Sequence, residues 1–416
     1  MNAHGYLMLA ADLSVIFAVA RLLGLLAKRL DQPPVIGEIV GGILLGPSLF
    51  GHGFTAALFP AAVHPSLTVL SNTGVCVFMF LVGLEFDRGL LRGQGRIATA
   101  VSLGAVLLPF ALGTLLALDL VHRHPTTHRL AFVLFLGTAM AVTAFPVLAR
   151  ILKDRGLINT TIGGLALAAA AVGDVLAWSM LAAVTALADA GRDHWRVLLI
   201  IPFAAFLQWV VRPLAARAAD RIPAAERWTY RIGIVLVLAV ALLAASEATA
   251  WMGLHPIFGA FLLGVVLPRE GAGPLSYLPV RRCGSVCTLV LLPVFFVVAG
   301  LKVDLRSVNT AALGELGLIM LVAVGGKFLG TYSGARLGGL PARYSAVLAI
   351  LINTRGLTEL IVLTVGIQIG VLDPSLYTLL VVMAVVTTAM TGVLLRFAYP
   401  RERMQQDLEA HERAYG

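Results

Sequence analysis

Asp174 lies in an apolar stretch, Ile162 to Leu187, that holds no other charged side chain, and Lys327 stands equally isolated in a second stretch, Leu316 to Ala335. A charge at mid-bilayer depth costs roughly 2.5 to 3.5 kcal/mol on an insertion scale, so isolated opposite charges on two helices mark an ion or proton pathway. The chemistry this implies is exchange rather than bond cleavage. Burial disfavours the charged form of a carboxylate and a nearby lysine favours it, which lets a proton and a cation compete for Asp174.

These two residues need membrane-spanning elements to carry them, and the composition supplies those. Over 416 residues the chain is 59% hydrophobic and 13% charged, with mean hydropathy +0.92. Such a chain is an all-α polytopic membrane protein. Thirteen segments reach or approach the length that crosses about 30 Å of hydrocarbon. They are Leu7 to Ala27, Val35 to Phe50, Leu67 to Leu84, Ile97 to Leu118, Leu130 to Ile151, Ile162 to Leu187, Val197 to Ala219, Ile232 to Ala250, Pro256 to Leu267, Val286 to Leu301, Leu316 to Ala335, Ser345 to Ile369 and Leu376 to Phe397. Alternating the loops from an external N-terminus puts 22 basic residues inside and six outside. That asymmetry predicts a multi-pass cell-membrane protein with a cytoplasmic C-terminus. The net charge of +9 is thereby explained by cytoplasmic loops rather than by nucleic acid. Residues 1–399 read as one transmembrane domain and 400–416 as a short cytoplasmic tail.

The segments repeat. Pro34-x-x-Gly37-x4-Gly42 returns as Pro256-x-x-Gly259-x4-Gly264, and Gly83-Leu84-Glu85-Phe86-Asp87 returns as Gly300-Leu301-Lys302-Val303-Asp304. The offset is seven segments, an odd number, so partners cross in opposite directions: an inverted repeat, with its site at the midplane. Partner segments five and twelve both carry helix interruptions, Thr143-Ala144-Phe145-Pro146 and Asn353-Thr354-Arg355-Gly356. Pro146 removes a backbone donor and Gly356 lowers the cost of leaving the helix. Backbone unwound at this depth must meet protein or line a cavity. Carbonyls freed around Val142 and Thr143 are then ligands for a hard monovalent cation; the competing reading of segment five is a simple proline kink.

Other polar residues receive plainer readings. Glu38 is either a gating or pH-sensing acid or a satisfied polar contact. Arg355 and Glu359 are four apart and read either as a local pair that steadies the broken helix or as groups that serve the site directly. His122, His124 and His128 read as a solvated external loop, and His255 as a helix-start residue. Gly41, Gly42 and Gly46 read as close helix packing. Cys76, Cys283 and Cys287 have no metal spacing and read as small core or helix-end residues, so no transition-metal site is expected. There is no nucleotide-binding motif or hydrolytic constellation, and the sequence indicates neither an enzyme nor a cofactor.

VIGEIVGGILLGPSLFG (Val35 to Gly51), VTAFPVLARIL (Val142 to Leu152), DVLAW (Asp174 to Trp178), KFLG (Lys327 to Gly330) and NTRGLTELIVL (Asn353 to Leu363) together resemble the monovalent cation:proton antiporters. The resemblance is to the second branch, with potassium-efflux antiporters and plant cation/proton exchangers, and it runs from Leu7 to about Phe397. It implies the Na+/H+ antiporter-like fold and a homodimer. It further implies a scaffold of segments one to three and eight to ten, and a moving core of segments four to six and eleven to thirteen. On that resemblance Asp174 binds cation and proton alternately, Lys327 lies nearby as its charge partner, and Thr143 with adjoining carbonyls holds the ion.

One position departs from the family pattern: an Asp or Asn is usual immediately before the essential acid, and here stands Gly173. Lys327 has then lost an expected partner, and it pairs with Asp174, sits neutral, or is compensated by water or another acid. One carboxylate exchanging one cation for one proton makes electroneutral exchange the expectation. An organic-ion exporter on the same fold and an uncoupled cation channel are the alternatives.

Overall fold

The computed structural model describes residues 3–85, 95–157, 160–188, 195–221, 228–267 and 278–399, and these contain helices and connections but no strand. The tail 400–416, and Phe86 and Asp87 of the repeated motif, lie outside the described residues.

In chain order the helices are α1 (Ala3–Arg29), α2 (Pro34–Leu45), α3 (Pro47–Phe50), α4 (His52–Leu58), α5 (His64–Glu85) and α6 (Gly95–Leu120). Then come α7 (Arg129–Ala141), α8 (Phe145–Asp154), α9 (Thr161–Ala188), α10 (Trp195–Leu198), α11 (Ile200–Phe206), α12 (Arg212–Arg221) and α13 (Trp228–Trp251). The last are α14 (Ile257–Val266), α15 (Leu278–Leu301), α16 (Thr310–Leu337), α17 (Ala342–Ile352), α18 (Leu357–Gln368) and α19 (Pro374–Ala398). Among the described residues nine spans are long and apolar enough to cross a membrane, and the pair α17 and α18, bent by 46° at their break, makes ten. Two further apolar helices, α2 and α14, are shorter. The seventh apolar segment is not one regular helix. Pro213 has no N–H to offer the carbonyl of Trp209, and between α11 and α12 the ladder widens to a π turn over Leu207–Val211.

The chain divides into two compact units. The first comprises Met1–Leu13, Ala61–Phe86 and Asp189–Val298. In it α5 and α14 cross at bare backbone: a Cβ on Gly83 would strike the Phe261 carbonyl, and one on Gly264 the Phe80 carbonyl. Gly259 lies equally close to the Ala245 carbonyl of α13. Small residues let helices approach this closely in lipid, where van der Waals contact replaces hydrophobic driving force.

The second unit comprises Ser14–Pro60, Asp87–Ala188 and Ala299–Gly416. Here Gly37 of α2 meets the Leu23 carbonyl of α1, and a Cβ on Gly300 would lie 2.7 Å from the Gly42 Cα. These are the same two contacts made by the other copy of the motif, so each unit holds one instance of the packing that the repeated glycines encode. In the same unit α6 and α16 lie backbone to backbone, with Gly104 and Gly330 each facing the other's carbonyl. Around them pack α7 and α9, and Phe132, Phe135, Leu136, Leu148 and Leu152 are fully buried.

Candidate functional site

Both interruptions expected in segments five and twelve are present in the second unit, and they meet. α7 stops at Ala141 and α8 starts at Phe145; α17 stops at Ile352 and α18 starts at Leu357. Across the crossing the Ala144 N–H donates to the Thr354 carbonyl at 3.0 Å, and the Thr143 hydroxyl donates to the Ile352 carbonyl at 3.3 Å. The first break follows from Pro146. In a continuous helix the Val142 carbonyl would accept from residue 146, which has no N–H. A crossing held by backbone hydrogen bonds is more than a proline kink. The second break rests on Gly356, where a Cβ would come within 2.8 Å of Val147 Cγ2.

The carbonyl end of α7 would be an expensive feature in a membrane interior, since its last four carbonyls have no partner within the helix. All four are satisfied here. Thr138 O accepts from the Val142 N–H at 3.1 Å. Arg355 donates Nη1 to Ala139 O at 2.7 Å and Nη2 to Met140 O at 2.8 Å, while Nη1 also reaches Glu359 Oε2 at 2.8 Å. Lys327 Nζ donates to Ala141 O, and to Ala105 O of α6 at 3.1 Å. Two fully buried basic side chains therefore face the negative end of this half-helix. Among the described residues no salt bridge joins Lys327 to Asp174; backbone oxygens, rather than a carboxylate, take its protons.

Asp174, on α9, is 6% exposed. Its carboxylate lies by the Phe145 N–H, the first of α8, which itself donates to the Thr143 carbonyl at 3.1 Å, and it feels the charge of Lys327. Among the described residues its Oδ1 has no hydrogen-bond partner. Thr143, also buried, commits its hydroxyl proton to Ile352 and so keeps oxygen lone pairs to offer. Asp174 Oδ1, the Val142 carbonyl and Thr143 Oγ1 are hard oxygen donors at or beside one break, the donor type that alkali cations and protons share and that soft metals avoid. Before Asp174, a Cβ on Gly173 would meet, among the described residues, only Val106 Cγ2, at 3.8 Å.

Of the remaining expected residues, Asn353 is buried at the end of α17 with Oδ1 unpartnered, and Arg355 and Glu359 form their expected pair, both fully buried. Glu38 is half-buried on α2, and the charges facing it are Arg21 and Arg150. One expectation is overturned. His124 is no solvated loop residue: it is 8% exposed, with Nδ1 2.6 Å from Asp373 Oδ2 and Nε2 3.2 Å from Glu315 Oε2. Arg123 in turn reaches Glu315 at 3.4 Å and Asp119 at 3.2 Å. The hydrogen bond to Asp373 holds His124 protonated above the ordinary imidazole range; burial opposes this, and the charges of Asp373 and Glu315 assist it. Burial also opposes charge on Asp373, but hydrogen bonds from His124 and from the Leu376 N–H outweigh it and keep the carboxyl below its usual range. The partners lie 249 and 191 residues away in sequence, so spacing gave no signal for them. The carbonyls of Ala105, Ala139, Met140 and Ala141 were also missed, since backbone atoms have no letter of their own.

This arrangement has relatives. The family described as "Sodium/hydrogen exchanger, transmembrane" matches residues 15–399. The Na(+)/H(+) antiporter NhaS4 of Synechocystis sp. is 37% identical over 410 residues, covering 96% of this chain and 99% of that protein. Cation/H(+) antiporter 17 of Arabidopsis thaliana is 38% identical, and K(+)/H(+) antiporter 1 of Saccharomyces cerevisiae 30% identical, over 95% and 93% of this chain. The chain spans about half the length of these two, 49% and 46%. Among solved structures, the sodium proton antiporter MjNhaP1 of Methanocaldococcus jannaschii has the same fold, with a TM-score of 0.68 at 16% identity over 96% of this chain and 98% of that one. With its broken-helix crossing and a family match that runs nearly end to end, this multi-pass membrane protein belongs to the sodium/hydrogen exchanger family.

Proposed function

We propose that the chain is a secondary active transporter, not an enzyme, which exchanges a monovalent cation, Na+ or K+, for H+ by alternating access. The observation that carries this reading is the buried Asp174 carboxylate, set against the first N–H after the break and with one oxygen unpartnered. A proton or an alkali cation neutralises that oxygen, and only one at a time can do so. With Gly173 beside it in place of a second acid, each cycle carries one cation against one proton and is electroneutral. Lys327 acts as a fixed positive charge that also closes the α7 carbonyl end.

The same reading assigns segments four to six and eleven to thirteen to a moving core, and one to three and eight to ten to a scaffold that pairs in a homodimer within the lipid bilayer. It sets the protein in the cell membrane with its N-terminus outside and C-terminus cytoplasmic, on the strength of the basic-residue asymmetry.

The test is dissipation of an imposed pH gradient in liposomes holding the purified protein, on addition of Na+, K+, Li+ or Rb+. Asp174→Asn is expected to abolish cation-coupled proton movement while leaving the protein folded. Undiminished exchange in that variant sinks the proposal, as does a wild type that responds to no alkali cation.

A further inference from the structure

α19 carries three adjacent buried threonines. The Thr387 hydroxyl bonds back to Met383 O and Ala384 O of its own helix, and Thr391 to Thr387 O, the usual way a hydroxyl is satisfied inside a membrane helix. Thr388 differs. Its Oγ1 accepts from the Arg355 N–H at 3.1 Å and lies 2.6 Å from the Arg355 carbonyl, so one hydroxyl grips both backbone groups of a residue in the second break. Arg355 has no helix of its own to hold it: α17 has ended at Ile352 and α18 does not begin until Leu357.

The inverted repeat gives this contact its meaning. α9 and α19 are the sixth and thirteenth apolar segments, seven apart. From α9, Asp174 lies by the N–H of Phe145 at the first break; from α19, Thr388 accepts from the N–H of Arg355 at the second. The two residues stand in equivalent places. One copy retains a carboxylate with a spare oxygen, and the other carries a neutral hydroxyl whose hydrogen-bonding capacity is directed into backbone.

We infer that Thr388 is a positioning residue for cation binding, acting through Arg355. It sets the backbone from which the guanidinium reaches Ala139 O and Met140 O, and those carbonyls are the end of the half-helix that leads into Val142 and Thr143. A guanidinium has a fixed fork, so displacing its backbone loses one or both carbonyl contacts and loosens the break that holds the ion. The inference rests on the exchange reading above for its functional readout and on the hydrogen bonds alone for its structural one.

Thr388→Val keeps the β-branched shape and removes the hydroxyl. Expected is a rise of about five- to tenfold in the KM for the transported cation, the effect of one buried neutral hydrogen bond, with maximal rate nearly unchanged. Thr388→Ser and Thr387→Val should both keep the wild-type KM. Hydrogen exchange of the 353–357 backbone amides should quicken in Thr388→Val and not in Thr387→Val. Should Thr388→Val fail to fold, Thr388→Ala is measured in its place. An unchanged KM, or equal effects at 387 and 388, overturns the inference. If wild type moves no alkali cation, the exchange reading falls. Amide exchange then decides the Thr388 staple on its own: unaltered protection at 353–357 overturns it.

Discussion

Lys327, and Arg355 beyond its pair with Glu359, show how a buried basic group is accommodated by more than an ion pair. Desolvating either would cost several kcal/mol, and a lone carboxylate rarely repays that. Here much of the compensation comes from carbonyls that needed donors in any case, so two unfavourable features, a bare helix end and a buried positive charge, cancel. At the other polar cluster a histidine performs the bridging. With both ring nitrogens against carboxylates, His124 is the doubly protonated donor that joins the loop after α6 to Glu315 of α16 and to Asp373, the N-cap of α19. Its native proton affinity is raised, so its contribution to stability is whole below the free imidazole value of about 6.5 and is lost as pH rises through the raised native value. For Asp373 the affinity is lowered, so its share is present above about 3.9 and is lost as pH falls through the depressed native value. Both shares are therefore intact between about pH 4 and 6.5, and the alkaline side removes the histidine's. His124→Gln should melt below wild type near pH 6, and the gap should narrow as pH rises through the raised native value. A gap that stays constant over this range would show that the cluster is not held by the imidazolium.

Between α6 and α16 the determining residue is glycine, because each helix sets its backbone where the other's side chains would be. A Cβ on Gly330 would sit against the Gly104 carbonyl, and one on Gly334 against the Ala100 carbonyl, while Gly325 on the same helix has nothing within 4 Å. The two positions should respond oppositely to one substitution. Gly330→Ala forces α6 and α16 apart and should lower thermal stability by about 1 to 3 kcal/mol, the range for overpacking. Gly325→Ala should be neutral or gain up to about 1 kcal/mol from helix propensity. Equal melting temperatures for the two variants would contradict the backbone contact. At this scale much was legible in the sequence. Pro146 and Gly356 announce their breaks because each changes backbone chemistry locally, and the repeated Pro-x-x-Gly announces a helix contact because only hydrogen fits there. The partner of Lys327 was not legible, since its acceptors are main-chain oxygens that any residue would carry. Nor was the His124 cluster, whose members come together only once α6, α16 and α19 are packed.

For the whole molecule, the repeat means that every device near the site has an equivalent place in the other half, and the differences between halves then carry function. Asp174 against Thr388 is one such difference. Among the described residues it leaves Asp174 as the carboxylate at the crossing that no arginine pairs with, since Glu359 is held by Arg355, and on the exchange proposed above the charge moved per cycle depends on the number of such carboxylates. Gly173 is where a second acid would enter, and the structure leaves room: among the described residues only Val106 Cγ2 approaches an added Cβ, at ordinary contact distance. Lys327 would not have to leave an existing acid to meet the new one, since its donors rest on Ala105 O and Ala141 O. An aspartate there is a second group that must shed its proton when a cation binds, so the cycle would carry two protons against one cation and move net charge. In liposomes with the membrane potential clamped at different values, wild-type exchange should run at one rate throughout. Gly173→Asp should run faster at one polarity than the other. Potential-dependent exchange in wild type would overturn electroneutrality. A Gly173→Asp variant that exchanges cations at a potential-independent rate would show that the number of carboxylates at the crossing does not set the stoichiometry.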